Sequence, residues 1–314
     1  MLEKQLVWLT GKGGVGRTTV AAALALVASG RGRRRETIVC EVGAQGRLPR
    51  LFGVRGGGGR EVQLRPGLSA VSIDPQAALR EWLAGQLPGP LSRILGDSRT
   101  FNYFYAAAPG ARELVTMLKV WELTQTKRWD KKAPTYDLVI VDAPATGHAL
   151  GMLRTPRTFG EIARVGPLRG QADRIEELLL DPRRSAFAAA TTAADMPVNE
   201  TFFLQDRLRE VLGRGLDLIV ANGLYPVRFS ADQLASLESQ AGTDGEAVGR
   251  GDGLARAASA AATSQAARVG VQQEQLARLR EGARGDIVEL PYVFAPELDL
   301  TAVAGLAAAL DEHV

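Results

Sequence analysis

A glycine-rich stretch near the N-terminus, GKGGVGRTT at positions 11–19, constrains the fold of this chain more than any other feature. It separates an apolar run, QLVWL at 5–9, from a helical pattern that begins at Arg17. Glycines at such a junction let successive backbone N–H groups curl around a phosphate, and the helix that follows adds partial positive charge. The spacing fits G-x-x-x-x-G-K-S/T, except that Arg17 stands where lysine is expected. This context favours a phosphate-binding loop over a glycine-rich turn that binds nothing.

Apolar runs and helical patterns alternate along the 314 residues of the chain. The runs that read as strands are near-continuously apolar and lie at 5–9, 37–42, 68–73, 136–143, 185–192, 216–222 and 286–290. The helical patterns lie at 17–29, 75–85, 110–128, 158–180, 199–213, 256–282 and 299–311. This alternation predicts an α/β fold with a mostly parallel sheet flanked by helices on both faces.

The element order predicts a single domain over 1–314, with a reduced helical subdomain in about 90–215. Two stretches read as irregular. The first, 53–62, contains four consecutive glycines and is expected to be a loop. The second, 239–268, is rich in Ala, Gly and Ser, and we expect a loop in its first half and a surface helix in its second.

Cys40 is the only cysteine of the chain. A single cysteine excludes an internal disulfide framework and a multi-cysteine metal site, and it fits a reducing compartment. Because Cys40 lies within an apolar run, we expect it to be a packed core residue. The chain shows neither a signal-like N-terminus nor an apolar run long enough for a membrane span, so we expect a cytoplasmic location without an integral membrane segment.

The charge balance does not indicate nucleic acid as a partner. The formal net charge is +3, and the dense basic cluster comprises Arg31, Arg33, Arg34 and Arg35. This cluster falls between a helical pattern and a strand pattern, which favours a solvated connecting turn over a nucleic-acid patch.

The stretch YDLVIVDAPATGHALGMLRTP, at 136–156, supplies the second half of a nucleotide site. An apolar strand that ends in Asp142 projects a carboxylate beside the glycine loop, where it suits a magnesium-bound water. The metal prediction is therefore Thr18 and Asp142. The segment that contains Pro144, Gly147 and His148 is expected to sense the terminal phosphate and move with it.

Both motifs resemble those of a known group of ATPases. KGGVG followed by R-T-T resembles the deviant phosphate loop of MinD, ParA, the nitrogenase iron protein, ArsA and the tail-anchored-protein targeting ATPases. The string D-A-P-A-T-G-H-A-L-G-M-L-R-T-P, at 142–156, is similar to the pattern D-x-x-P-T-G-H-x-L-x-x-L-x-x-P of ArsA and the targeting ATPases. Further similar segments follow in chain order at 109–123, 181–212, 219–226 and 288–310.

The resemblance implies a P-loop NTPase fold that binds ATP or ADP with Mg²⁺ between two protomers. It implies that Lys12 reaches the partner's nucleotide and acts in catalysis together with Asp142, and that Asn222 contacts adenine. The residues expected to hold phosphate are Gly13, Gly14, Val15, Gly16, Arg17, Thr18 and Thr19.

Two departures from the family pattern bear on hydrolysis. Arg17 keeps the charge of the loop lysine but has a larger, planar head group. Aligning the family's catalytic aspartate segment with 40–53 puts Gly43 in its place, and glycine cannot act on water. Glu41 lies two residues earlier on the same strand face and is a candidate substitute, although strand spacing puts it about 6–7 Å further back. Weak hydrolysis is the expectation.

Features that define the named family activities are also missing. ArsA senses arsenite with several thiolates, and the eukaryotic targeting factor binds zinc through a cysteine pair, whereas this chain has only Cys40. Only residues 157–180 lie where the targeting factor carries a long helical insertion, which disfavours a deep client groove. The apolar positions of the predicted helix 110–128 favour packing in the core over a partner surface.

Three functions stay open from the sequence. The first is a nucleotide-dependent dimeric switch with weak hydrolysis, either a homodimer or a heterodimer with an intact related ATPase, and with a protein client as a further partner. The second is a non-catalytic interaction or scaffold subunit that keeps the ATPase fold. The third is an ATPase that drives a metalloid pump, which the single cysteine disfavours.

Overall fold

A computed structural model of the chain describes residues 1–30, 35–43, 46–86, 98, 110–162, 167–242 and 250–314. Of the basic cluster, Arg35 lies within these ranges, and it donates a hydrogen bond to the Leu2 carbonyl at 2.5 Å. Arg31, Arg33 and Arg34 lie outside the described residues, as does part of the predicted helical subdomain.

The strands of the described residues form one eight-stranded sheet in the order β3-β4-β2-β5-β1-β6-β7-β8. They are β1 (Leu6–Thr10), β2 (Thr37–Val42), β3 (Val62–Arg65), β4 (Leu68–Ile73), β5 (Leu138–Asp142), β6 (Ser185–Thr191), β7 (Leu218–Leu224) and β8 (Asp286–Pro291). All neighbours pair in parallel except β3, which is antiparallel to β4. The predicted α/β class with a mostly parallel sheet is confirmed.

The helices of the described residues begin and end as follows: α1 (Arg17–Gly30), α2 (Arg47–Leu51), α3 (Pro75–Gln86), α4 (Ala111–Leu123), α5 (Thr146–Ile162), α6 (Pro167–Leu180), α7 (Asp195–Leu212), α8 (Ala231–Gly242), α9 (Arg250–Gly282) and α10 (Leu300–Asp311). None of these helices combines the length and apolarity needed to span a bilayer.

The helices cover both faces of the sheet and create two cores. On one face α1, α2 and α10 pack over strand residues such as Val7 and Leu9. On the other face α3, α4, α5, α6, α7 and α9 cover the alternate residues, including Leu6 and Trp8. Because successive side chains of a strand point to opposite faces, near-continuously apolar strands are what a doubly covered sheet requires. The predicted core position of Cys40 is confirmed, since its side chain is fully buried.

Two short elements next to the loop predicted for 53–62 were not predicted from the sequence. The loop predicted for 53–62 ends at β3, an edge strand with alternating exposure and an irregular register against β4. Helix α2 includes Pro49 and spans five residues, so it carries no periodicity that a sequence could reveal. It is held by burial of Leu48, which is 0% exposed, rather than by local propensity.

The helix predicted for 158–180 is wrong in its bounds. Helix α5 begins at Thr146 and continues through Pro156, and the described chain resumes in a separate helix, α6. Proline in a helix interior removes one hydrogen bond, but burial of side chains such as Met152 and Leu153 outweighs that loss.

Within 239–268 the helix expected in the second half is confirmed, and the loop expected in the first half is wrong where that half is described. Helix α8 continues to Gly242, and α9 covers all of 250–268. Alanine has the highest helix propensity, and the Ala-rich sequence outweighs the cost of glycines in the first turns of α9. Residues 243–249 lie outside the described residues.

Candidate functional site

The glycine loop between β1 and α1 has a backbone that requires its glycines. Gly11, Gly14 and Gly16 have φ angles of 148°, 88° and 87°, a region that side chains rarely tolerate. A Cβ atom on Gly11 would lie 2.1 Å from the Ala190 carbonyl oxygen, and one on Gly16 would lie 2.3 Å from Asn222 Nδ2. The loop therefore lies directly against β6 and β7.

Thr18 and Asp142, the predicted metal ligands, lie in contact at the mouth of this loop. Parallel pairing of β1 with β5 sets Leu9 beside Asp142, so the aspartate leaves the sheet at the same edge as the loop. Thr18 Oγ1 donates a 2.6 Å hydrogen bond to Asp142 Oδ2. Burial raises the pKa of Asp142, and the hydrogen bond from Thr18 and the charge of Arg17 partly offset this shift.

These two oxygen donors fit Mg²⁺. A magnesium ion at a nucleotide site typically takes one or two protein oxygens and completes its shell with phosphates and water. Among the described residues no group of three or more His, Cys, Asp or Glu side chains could hold a metal by itself. The protein can thus supply part of a magnesium shell here.

Arg17, the residue that replaces the loop lysine, is turned toward the end of β5. Its guanidinium donates a short hydrogen bond to the carbonyl oxygen of Ala143, the residue after Asp142. Burial lowers the pKa of Arg17, and the charge of Asp142 opposes that shift. The arginine therefore links the loop to the strand tip that precedes the predicted sensing segment.

Two cavities share Arg17 and Thr18 in their walls. One of about 150 Å³ lies beneath the strand tips and is lined by Arg17, Thr18, Glu41, Val42, Gly43, Arg47, Asp142, Ala143, Pro144 and Ala145. The other, of about 320 Å³, lies over the loop and is lined by Gly14, Gly16, Arg17, Thr18, Thr19, Arg47 and Leu51. The sequence missed Arg47, which lines both, because only the position of α2 brings it to the loop.

A larger cavity of about 650 Å³ continues from the loop and contains Asn222 in its wall. Asn222 Nδ2 donates a 2.9 Å hydrogen bond to the Val15 carbonyl, which ties the end of β7 to the loop. The rings of Tyr225 and Tyr292 border the same space, with centroids 4.8 Å apart. An amide and two aromatic faces can accommodate a flat heteroaromatic base by hydrogen bonding and stacking. The sequence missed both tyrosines.

Glu41 lies in the smaller cavity but its carboxylate is engaged. Oε1 accepts hydrogen bonds from the backbone N–H groups of Arg47, at 2.8 Å, and Leu48, at 3.2 Å. Oε2 accepts a 2.8 Å hydrogen bond from Ser72 Oγ. The side chain is 4% exposed and fixes the first turn of α2. Its catalytic role stays a prediction.

Gly43 lines the same cavity with a φ angle of 116°. A Cβ atom at this position would meet no heavy atom within 4 Å, so space is available for a side chain. The backbone conformation, however, is one that favours glycine. An aspartate could not adopt this conformation without strain.

The remaining predicted residues lie around the loop. Lys12 Nζ is 3.8 Å from Glu200 Oε2 of the same chain, and both side chains are partly exposed. The Pro144 carbonyl accepts a 2.8 Å hydrogen bond from Thr10 Oγ1. Gly147 and His148 belong to the first turn of α5, and His148 Nε2 is 3.9 Å from Glu113 Oε1.

Comparison with known proteins places this geometry in a family. The model of the anion-transporting ATPase family matches residues 4–171, which include the glycine loop and the strand tip with Asp142. The ATPase BagA of Mycobacterium tuberculosis is 30% identical over 234 residues, 72% of this chain and 67% of that protein. An arsenical pump-driving ATPase of Acidiphilium multivorum is 26% identical over 70% of this chain and 39% of its own length. The ATPase get3 of Schizosaccharomyces japonicus is 30% identical over 52% of this chain and 50% of its own length.

Proposed function

The chain belongs to the anion-transporting ATPase family, the family of ArsA, and on that premise we propose that it is an ATP-binding switch that dimerises with bound nucleotide and hydrolyses it slowly. Membership of an ATPase family supports nucleotide binding in general. The dimer, the slow rate and the identity of a partner are the parts that the proposal adds.

The contact between Thr18 and Asp142 carries the proposal. A partly buried hydroxyl and carboxylate, 2.6 Å apart beside a glycine loop, can supply the protein ligands of a magnesium–triphosphate site. Bound Mg²⁺ would neutralise phosphate charge and polarise the terminal phosphoryl group. Residues Gly13 to Thr19 are proposed to hold phosphates, and Asn222 is proposed to lie beside the base.

Two observations support slow turnover. The Arg17 guanidinium is committed to the Ala143 carbonyl, so it must leave that contact before it can turn to a phosphate. The position proposed for a water-orienting carboxylate is Gly43, and the nearby Glu41 carboxylate already accepts three hydrogen bonds. Hydrolysis would therefore depend on the Arg17 guanidinium and the Glu41 carboxylate, and both are held by other contacts in this chain.

Lys12 is proposed to act across a dimer interface, which requires it to exchange Glu200 for the partner's nucleotide. Lys12 and Glu200 are partly exposed and their charged atoms are 3.8 Å apart. Such an ion pair is weak, so the exchange can break it. The partner is proposed to be a second copy or a related ATPase with an intact loop. A protein client, a cytoplasmic location and the absence of nucleic acid from its partners stay predictions.

A scaffold subunit that does not hydrolyse nucleotide is the second candidate, and the engagement of Arg17 with Ala143 favours it. The arsenical pump-driving function named for one relative is the third. The full burial of Cys40 disfavours the third, because burial raises the pKa of this thiol and keeps it from acting as a thiolate ligand.

Isothermal titration of the full chain with ATP and with ADP, each with and without Mg²⁺, tests the proposal. We expect Mg²⁺-dependent binding and a different affinity for the two nucleotides, because a switch must distinguish them. Thr18→Ala, which removes the hydroxyl, should lose the increase in nucleotide affinity that Mg²⁺ provides. Absence of binding for both nucleotides would refute nucleotide switching and favour the scaffold.

Light scattering with and without Mg-ATP tests the dimer, and purification of the native protein tests for a related ATPase as its partner. A turnover rate equal to that of an intact relative would contradict slow hydrolysis. A chain that stays monomeric with Mg-ATP and copurifies with no ATPase would contradict the interface role of Lys12.

A further inference from the structure

Arg47 brings a positive charge to the candidate site from α2, outside the glycine loop. It stands at the first position of α2 and lines both cavities that border Arg17 and Thr18. Its side chain is exposed, and among the described residues its guanidinium has no hydrogen bond or ion pair, since only its backbone N–H is bonded. A free guanidinium beside a phosphate-binding loop suits a phosphate oxygen, which its planar fork can bind through two donors.

The other basic side chains of the site are already engaged. Arg17 donates to the Ala143 carbonyl, and Lys12 pairs with Glu200. A triphosphate brings more negative charge than a diphosphate, and the difference lies at the terminal group. The cation available to meet that extra charge without breaking a contact among the described residues is Arg47.

The position of Arg47 is fixed although its side chain is free. The buried carboxylate of Glu41 accepts from the backbone N–H groups of Arg47 and Leu48, and the Leu48 side chain is fully buried under the sheet. The charge of Arg47 is felt at both residues: it adds to the burial that lowers the pKa of Arg17, and it opposes the burial that raises the pKa of Asp142. The backbone of Arg47 is therefore already fixed beside the loop, and only its side chain has to lose rotamer freedom when it binds a phosphate.

We propose that Arg47 binds the terminal phosphate of a bound nucleoside triphosphate within the same chain, and that Glu41 is the residue that positions it. The inference rests on the proposed nucleotide site. It assigns to this chain a group that discriminates triphosphate from diphosphate, and it gives Glu41 a positioning role in place of a catalytic one.

Titration calorimetry of the full chain with Mg-ATP and Mg-ADP tests this assignment. Arg47→Gln should weaken ATP binding by about tenfold or more, because it removes a charge-assisted contact, while ADP affinity changes by less than about twofold. Arg50→Gln is the matched control: Arg50 is exposed on the same helix but lines neither cavity, so both affinities should stay unchanged.

Glu41→Gln tests the positioning role. Glutamine cannot accept through both of its head-group atoms, so we expect the ratio of ATP to ADP affinity to fall toward that of Arg47→Gln while ADP affinity is kept. A merely structural role would lower both affinities together.

The outcomes separate this inference from the proposed function. If the unaltered chain binds neither nucleotide, both fail. If it binds ATP but Arg47→Gln leaves the ratio of affinities unchanged, or lowers both equally, only the role of Arg47 is overturned.

Discussion

Thr18 Oγ1 and Asp142 Oδ2 are joined by a 2.6 Å hydrogen bond although 124 positions separate them in the chain. The sheet order makes this contact, because β1 and β5 are parallel neighbours and both end at the glycine loop. The bond partly offsets the desolvation of a partly buried carboxylate, whose charged form is kept at some cost in stability. The proposed role of Asp142 at a magnesium ion accounts for such a cost, since carboxylates with shifted pKa values cluster at functional sites.

Asp142→Asn should abolish the dependence of nucleotide binding on Mg²⁺ while leaving the melting temperature of the free protein unchanged or higher. Asparagine can still accept the hydrogen bond from Thr18, and it removes a charge that is costly to bury. Titration calorimetry and thermal denaturation measure the two effects. A large drop in melting temperature would show that the charge stabilises the fold.

The same carboxylate gives a pH dependence with a definite sign. The folded-state pKa of Asp142 is raised above its ordinary value of 3.8, so its contribution to stability is present at low pH and is lost as pH rises through the raised pKa. We therefore expect Asp142→Asn to be more stable than the unaltered chain, by a difference that grows as pH rises and disappears in acid. Denaturant titrations over a series of pH values check this, and an advantage that shrinks with rising pH would contradict it.

Arg17→Lys should tighten Mg-ATP binding. The arginine must leave the Ala143 carbonyl to reach a phosphate, and a hydrogen bond from a charged donor is worth about 1.5–3 kcal/mol net, or about ten- to hundredfold in affinity. Lysine also matches the usual loop geometry. Arg17→Ala is the control and should weaken binding because it removes the charge. If Arg17→Lys binds more weakly than the unaltered chain, the contact with Ala143 is no obstacle.

Gly43→Asp should not restore rapid hydrolysis and should lower stability by about 1–3 kcal/mol, the cost of a strained backbone. The reason is the φ angle of 116° at this position. Gly43→Ala carries the same strain without the carboxylate, so the two variants should lose similar stability in urea denaturation. A stable Gly43→Asp protein with turnover raised by orders of magnitude would contradict this expectation.

Arg128→Met should lower the free energy of unfolding by about 3–5 kcal/mol, the usual cost of removing one partner of a buried ion pair. The Arg128 and Glu122 side chains are 2% and 1% exposed and form hydrogen bonds of 2.6 and 3.0 Å. Arg169→Met is the matched control, since solvent screens the exposed Arg169–Asp173 pair and its removal should change stability little. Equal losses for the two variants in urea denaturation would contradict the difference in burial.

The lowered pKa of Glu122 predicts how the stability that this ion pair contributes changes in acid. Burial alone would raise its pKa, but the hydrogen bonds from Arg128 and the charge of Lys119 outweigh burial and hold the pKa below its ordinary value. The stability that this group contributes is therefore present at neutral pH and is lost as pH falls through the lowered pKa. The stability gap between the unaltered chain and Arg128→Met should narrow in acid.

Local patterns account for the parts of the fold and site that could be predicted. All seven predicted strands form because each is a near-continuously apolar run, and Thr18 meets Asp142 because Asp142 ends β5 beside β1, the strand that leads into the glycine loop and Thr18. The missed elements have no such signal: β3 is a four-residue edge strand and α2 has five residues around Pro49. The helix predicted for 158–180 has the wrong bounds because packing continues α5 through Pro156, and no local pattern reveals that packing.

The sequence alone determined that a glycine loop joins a buried strand to a helix and that an aspartate ends another buried strand. These are properties of short stretches, and backbone sterics and apolar burial decide them locally. Only the tertiary structure decided that Arg17 contacts Ala143, that Asn222 holds Val15, and that Glu41 presents Arg47 to the loop. Those contacts depend on where α2 and the neighbouring strands lie around the loop, and the packing of both cores fixes that arrangement.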